Sequence, residues 1–429
     1  MILRVLWSVS IVDVLHSCVR HRLKCLVLVI AAALCISPAL ATEPPTVVAD
    51  AVEQISAADR QLQIDGLRTS EDTSAAVKQL IAIDVELLAD DSSTLDAVKT
   101  GILIALAEHA NPPALEHLRS VFETQTPRRH DAAYAISLAA LNRPTSDQDW
   151  RYLVRSLTIV EDEQAVSVLK SLRKYRRRAT KATWIREVIL AGLRLTHEQL
   201  PAAIDLLSYW TGHSADSSES AEQQLQGFQA WFREHYPNEP PPELPVDPPN
   251  AKWTAAKLAT LMAERPSDAV AFTAGAAAYS KVFSKANCNK CHRRDGGSDL
   301  PAGDQLGPNL TSLGWRRQPQ EILSAILYPS HRLNDEYPVT TVLLTSGKSV
   351  SGLMMPDTED RMKIVTADSK EVVFAKSEIE DVAPSKISNM PSGLLEVLSA
   401  EEIKNLFAFL TQRSGDYDPH REYGVWSRE

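Results

Sequence analysis

Amphipathic segments that restart about every 33 residues constrain the fold of this chain more than any other feature. One series reads "AVKTGILIALAEH" (97–109), "HDAAYAISLAALN" (130–142), "EQAVSVLKSLRKY" (163–175) and "EQLPAAIDLLSYW" (198–210). A second series alternates with it: "PALEHLRSVFET" (113–124), "DQDWRYLVRSLTIV" (147–160) and "ATKATWIREVILAGLRL" (179–195). Apolar residues three and four apart give each helix one face that must be covered. A two-helix unit cannot cover its own faces, but a stack of such units can, so the period predicts an α-solenoid over about 74–212. Val98, Ile102 and Ala105 correspond to Ala132, Ile136 and Ala139 one unit later, and Leu115, Leu118 and Phe122 to Trp150, Leu153 and Leu157. An irregular helical bundle is the alternative packing of the same segments.

The length suits two to three domains. Residues 42–73 form a polar, partly helical segment. Residues 213–251 read as a linker, with one short helix near "LQGFQAWFREHYP" before the stiff "NEPPPELPVDPPN". A second domain is expected over 252–411. It opens with a helix at 253–264, and a further helix, N-capped by Ser267, runs into Cys288. A Gly- and Asp-rich loop (293–305) follows the cysteines, then a helix near "QPQEILSAILYPS". Short strand-like runs separated by turns, "PVTTVLLT", "KSVSGLMM", "RMKIVT" and "EVVFA", predict a small antiparallel sheet at about 338–384. The last helix, 398–411, carries Ser399 and Glu402 at capping-box spacing, and a polar tail (412–429) ends the chain.

The N-terminus predicts export. Arg20, Arg22 and Lys24 precede an apolar run that ends in Ala39-Leu40-Ala41, the pattern of a secretory signal cleaved after Ala41. A retained membrane anchor is the alternative, because the run is just long enough to be considered. Cys35 follows Leu34, where a lipoprotein would need a small residue. Cleavage leaves no stable membrane span. The segment 1–41 holds four basic residues and one acidic one, so its loss moves the formal charge from −10 to −13. That balance opposes nucleic-acid binding, which needs a basic face. The same cleavage removes Cys18, Cys25 and Cys35, leaving Cys288 and Cys291. Two residues apart, they build no disulfide framework.

"ANCNKCH" (286–292) supplies another purpose for them. Cys-x-x-Cys-His places two thiols near one edge of a planar ligand and an imidazole near its centre, the signature of covalent haem c attachment. A thioredoxin-like pair would want a βαβ setting, zinc would want two more ligands, and a disulfide at this spacing would be strained. Met390, in the loop "ISNMPSG", is the expected sixth iron ligand, whereas Met354, Met355 and Met362 fall in strand-like runs. His331 is the rival sixth ligand. The other histidines, His109, His117, His130, His197, His213 and His235, share no metal-ligand spacing and are read as structural or surface residues. "RKYRRR" (173–178) is read as a solvated basic corner, with a docking patch for an acidic partner as the alternative.

From about 268 to 411, a third of the chain, the sequence resembles a class I cytochrome c domain of the type found as a haem-binding domain in planctomycete proteins. The likeness rests on "VFSKANCNKCH" (282–292), "LGPNLT" (306–311), "ILYPS" (326–330), "SNMPSGL" (388–394) and "LSAEEIKNLFAFL" (398–410). It implies thioethers at Cys288 and Cys291, His292 as proximal ligand, the Pro308 carbonyl holding its second ring nitrogen, and Met390 on iron. It also implies that Phe283 meets Leu406 and Phe409 where the first and last helices cross. Tyr279 stands where a glycine is common, which puts that crossing in question. Upstream HEAT-like helical repeats occur with such domains. The expected class is therefore mainly α: a helical-repeat domain, then a cytochrome c-like α domain with a small β insert.

With one covalent haem c and both axial sites filled, the chain is expected to carry single electrons rather than catalyse, serving a redox partner such as a periplasmic dehydrogenase. Two alternatives stand beside it. One is a haem enzyme with an open or labile sixth site, for peroxide or gas chemistry. The other is a helical scaffold with an accessory haem.

Overall fold

Every segment of the two alternating series is a helix, and further helices extend the array at both ends. The structure, a computed structural model, describes residues 45–88, 95–143, 146–263, 281–292, 306–311, 313–334, 337–355 and 358–411. The expected signal segment (1–41), the loop 293–305, Ser267, Tyr279 and the tail 412–429 lie outside the described residues. In chain order the first helices are α1 (Pro45–Arg68), α2 (Thr73–Leu87), α3 (Asp96–His109), α4 (Pro112–Thr124) and α5 (Arg129–Asn142). After them come α6 (Asp147–Ser156), α7 (Asp162–Lys174), α8 (Ala182–Gly192), α9 (Pro201–Thr211) and α10 (Ala221–His235). Local chemistry sets their starts. Asp72 and Asn111 accept the N–H groups of Ala75 and Ala114, and Ser220 with Gln223 forms a capping box.

The odd-numbered helices α1, α3, α5, α7 and α9 each lie against the next odd-numbered one, with even-numbered helices packed on their chain neighbours. Val98, Ile102, Ala105, Ala132, Ile136 and Ala139 are all buried in this row. Small polar residues bring α5 and α7 close: the Ser137 and Ser167 hydroxyls meet at 2.6 Å, and Ser171 donates to the Ser137 carbonyl at 2.8 Å. The core is wider than the repeat read from sequence. Ile64 of α1 joins it, as do Leu225, Phe228 and Phe232 of α10, which share one helix face. The linker therefore shrinks to the proline-rich stretch after α10.

A second core gathers Leu258, Phe283, Ile322, Leu398, Leu406 and Phe407. It is built by α11 (Ala255–Ala263), a helical turn at 281–285, α12 (Leu313–Arg316), α13 (Pro319–Leu327) and α14 (Ala400–Leu410). Phe283 and Leu406 share this cluster, and Phe409 packs against it. The capping box at Ser399 and Glu402 is formed. Lys285 reaches both Glu402 oxygens at 2.8 Å.

Between α13 and α14 the chain makes five antiparallel strands: β1 (Val339–Leu344), β2 (Ser349–Met355), β3 (Arg361–Val365), β4 (Glu371–Ala375) and β5 (Ile379–Pro384). The spatial order is β4-β3-β2-β1-β5. Val342, Val350, Ile364 and Phe374 form a small core of their own on one face. Four of the strands match the strand-like runs. The fifth, "IEDVAP", is polar and exposed beyond Ile379, and its backbone pairing with β1 holds it in place. Gly352 is obligatory in β2, because a Cβ there would collide with the Val365 carbonyl of β3.

The two halves touch through residues 315–332. Arg332 forms a bidentate ion pair with Glu187 of α8 at 2.8 and 2.9 Å. Arg186 beside it donates to the Pro240 and Pro241 carbonyls and approaches His331 Nδ1 at 3.4 Å. Arg129 of α5 donates to the Arg316 carbonyl at 2.6 Å, and Thr126 to that of Trp315 at 2.7 Å. The protein is thus mainly helical with one small antiparallel sheet. Among the described residues no helix is long and apolar enough to cross a membrane.

Candidate functional site

Asn287 adopts the left-handed conformation at φ 60° and opens a single 3-10 turn, Cys288–Lys290. Asn enters that region at lower cost than most residues. The Cys288 carbonyl then accepts the N–H groups of both Cys291 (3.2 Å) and His292 (2.9 Å). Two thiols and an imidazole are thereby fixed in one tight loop.

Both thiols are free and only partly exposed. Burial pushes the Cys288 thiol up to about 12 and also raises that of Cys291, against the opposing pull of the Ser369 hydroxyl and Lys290. Neutral thiols are poor metal ligands at pH 7. Cys288 packs, partly buried, against the second core, as do Leu310, Leu313, Ile326, Leu327 and Phe409.

His292 is oriented by its first nitrogen. Nδ1 lies 2.8 Å from the Pro308 carbonyl oxygen, which only accepts, so Nδ1 carries the proton and Nε2 the lone pair. Burial lowers the ring's pKa and the Pro308 bond partly offsets it, which keeps the imidazole neutral at pH 7. Gly307 makes the approach possible: a Cβ there would sit 2.7 Å from His292 Cε1 and 3.2 Å from the Cys291 carbonyl. The "LGP" of residues 306–308 therefore has two jobs, a close backbone approach at Gly307 and an acceptor at Pro308.

Met390 lies in the loop before α14. Its N–H donates to Ser388 Oγ at 3.1 Å, and the Ser388 N–H donates to Ser330 Oγ at 3.1 Å, which ties the loop to the end of α13. Buried Asn389 sends its side-chain N–H toward the Val365 carbonyl of β3 at 3.5 Å. The structure joins Cys288, Cys291, His292 and Pro308 directly. Met390 is linked to them through the sheet, because the β3–β4 turn reaches Cys291 with Ser369. His331, the rival sixth ligand, is engaged with Arg186 at the contact between the halves.

Among the described residues, no three His, Cys, Asp or Glu side chains converge as a metal site. The donor set fits a haem attached through its edge: two neutral thiols, one oriented imidazole with a free lone pair, and a partly buried apolar rim. Gly307, Ser369 and Asn389 belong to the site and were not assigned roles from sequence. Gly307 was legible in principle, since a glycine before a carbonyl-donating proline marks a close backbone approach. Ser369 and Asn389 carry no such signal. No protein-family model matches the chain, and no match was found among the curated proteins.

Proposed function

We propose that this chain is an exported mono-haem c-type cytochrome that passes single electrons to or from a redox partner docked on the protein. The observation that carries this reading is the His292–Pro308 hydrogen bond over Gly307, next to two unbridged thiols in one turn. Cys288 and Cys291 would hold the haem through thioethers, and His292 Nε2 and Met390 Sδ would bind its iron. So held, the haem would supply reversible one-electron chemistry. The residues of the chain do the rest. Pro308 fixes the ring plane and raises the ligand's basicity, and Gly307 lets the backbone come close enough to do so. Ser330 and Ser388 hold the Met390 loop against α13.

The helical half is read as a HEAT-like repeat that presents this site to a partner such as a periplasmic dehydrogenase. Its ion-paired contact with residues 315–332 supports that role, because a fixed orientation preserves the electron-transfer distance. Export is supported by the Ala39-Leu40-Ala41 pattern and by the two cysteines left after it.

The test is the visible spectrum of the chain exported from a host with haem c maturation, in both redox states, beside Met390→Ala. Wild type is expected to show a low-spin haem c spectrum with the weak far-red band of Met-to-ferric-iron ligation, absent from the variant. A high-spin wild type, or a variant spectrum identical to it, would overturn Met390 as ligand. Absence of covalent haem would overturn the whole reading.

A further inference from the structure

We propose that the turn between β3 and β4 is a built-in cover for this site, held in place by two positioning residues, Asn389 and Ser369. What it covers rests on the haem reading above; where it sits does not.

Three observations place it. The first is a second buried face on the sheet. Val339, Leu353 and Val365 pair in one row across β1, β2 and β3. They point away from the sheet's own core of Val342, Val350, Ile364 and Phe374, since neighbouring residues in a strand face opposite ways. All three are nevertheless buried, so this end of the outer face is covered. The second is Asn389, buried next to Met390, whose amide meets the Val365 carbonyl at the end of that row. The third is Ser369, at φ 60° in the turn closed by the Thr366 and Lys370 backbone bonds. Its hydroxyl is buried, has no partner of full hydrogen-bond geometry, and lies beside the Cys291 sulfur.

One hairpin end therefore spans from the thiol edge to the methionine loop. A loop so placed keeps water and small anions from the edge of a bound group and holds Met390 close on one side of it. This accounts for a sheet inserted immediately before the methionine loop: its far end returns to the site that its near end leaves.

The test compares Asn389→Asp, which keeps the shape and loses the donor, with Ser369→Gly, which suits the left-handed turn and removes the hydroxyl. Val373→Ala, on an exposed part of the sheet, is the control. In the haem-free full chain, hydrogen–deuterium exchange at residues 365–370 and 388–390 should quicken about tenfold in Asn389→Asp, the change expected for one lost buried hydrogen bond. In the haem-loaded protein the far-red band should weaken, and ferric cyanide affinity should rise about tenfold for the same reason. Ser369→Gly should raise cyanide affinity less and leave the band in place. The control should match wild type in both measurements. Exchange unchanged in Asn389→Asp would overturn the placement of the cover, whatever the haem content. Quickened exchange with unchanged cyanide affinity would overturn its role as a cover. A wild type without covalent haem removes the haem reading and, with it, the role of the cover.

Discussion

The two halves solve the problem of a core in opposite ways. In the helical half, Trp150, Phe122, Phe228 and Phe232 are all below 2% exposed, and the row of odd-numbered helices is filled by its own side chains. In the second half the described core is smaller, and several side chains packed against it, among them Leu310, Leu313, Ile326, Leu327, Phe409 and Cys288, are only partly buried. A repeat that stacks unit upon unit buries its own faces and needs nothing else. The second half instead leaves apolar side chains only partly buried, and its two thiols are only partly exposed. One half buries its apolar faces in one large core, and the other carries, on the proposed reading, the donors for a bound group.

The sharpest way to break this comparison is inside the helical core. Phe228→Ala should cost about 3–5 kcal/mol, the range for deleting a fully buried aromatic ring, read by chemical denaturation. A cost below about 1 kcal/mol would show that α10 is an appendage to the repeat and not its last element.

The joint between the halves comes next. Glu187 is largely buried, and burial alone would raise its pKa, yet the Arg332 hydrogen bonds and the charges of Arg332, Arg186 and Arg194 hold it below 4.5. Glu187→Ala strands Arg332, whose side chain is 32% exposed. The expected cost is about 2 kcal/mol, less than the ~3–5 of a fully buried pair because solvent screens the stranded charge. Differential scanning calorimetry should then resolve two transitions. A single cooperative transition would show that the halves are joined chiefly by other contacts.

Acid provides the mildest separation. Burial, with the charges of Arg186, Arg332 and Arg194, pushes His331 down from 6.5 to about 4, against Glu187 alone. Between those values the unfolded chain binds a proton that the folded one refuses, so stability at the joint falls as pH drops from 6.5 toward 4. Asp84 behaves differently. Burial would raise it, but hydrogen bonds from His117 and Arg128 hold it below 3.8. Its contribution is complete above 3.8 and disappears only as pH falls through the lowered folded value. Tryptophan fluorescence and limited proteolysis on a pH scale should show the halves loosening before the helical half melts. The reverse order would contradict the assignment of His331 to the joint.

Much of the helical half was legible because its signals are local. The apolar spacing of "AVKTGILIALAEH" and "HDAAYAISLAALN" fixes α3 and α5 almost to the residue, although neither start carries a side-chain cap. α10 was legible as a helix but not as part of the core, since its sequence does not say what its apolar face meets. β5 was missed because an edge strand that is exposed beyond its first residue has no alternation to read.

The same division runs through the candidate site. Sequence alone determined which side chains stand together as candidates: Cys288, Cys291 and His292 lie within five residues, where spacing along the chain is also spacing in space. Pro308 could be named as a partner only through resemblance, and the tertiary structure decided its bond to Nδ1 and the room that Gly307 gives it. Only the tertiary structure brought Ser369 to Cys291, Asn389 to Val365, and Glu187 to Arg332 across 145 positions. Those contacts are made by polar side chains with no periodicity of their own. Their partners are chosen by how helices and strands stack, and a one-dimensional pattern does not contain that choice.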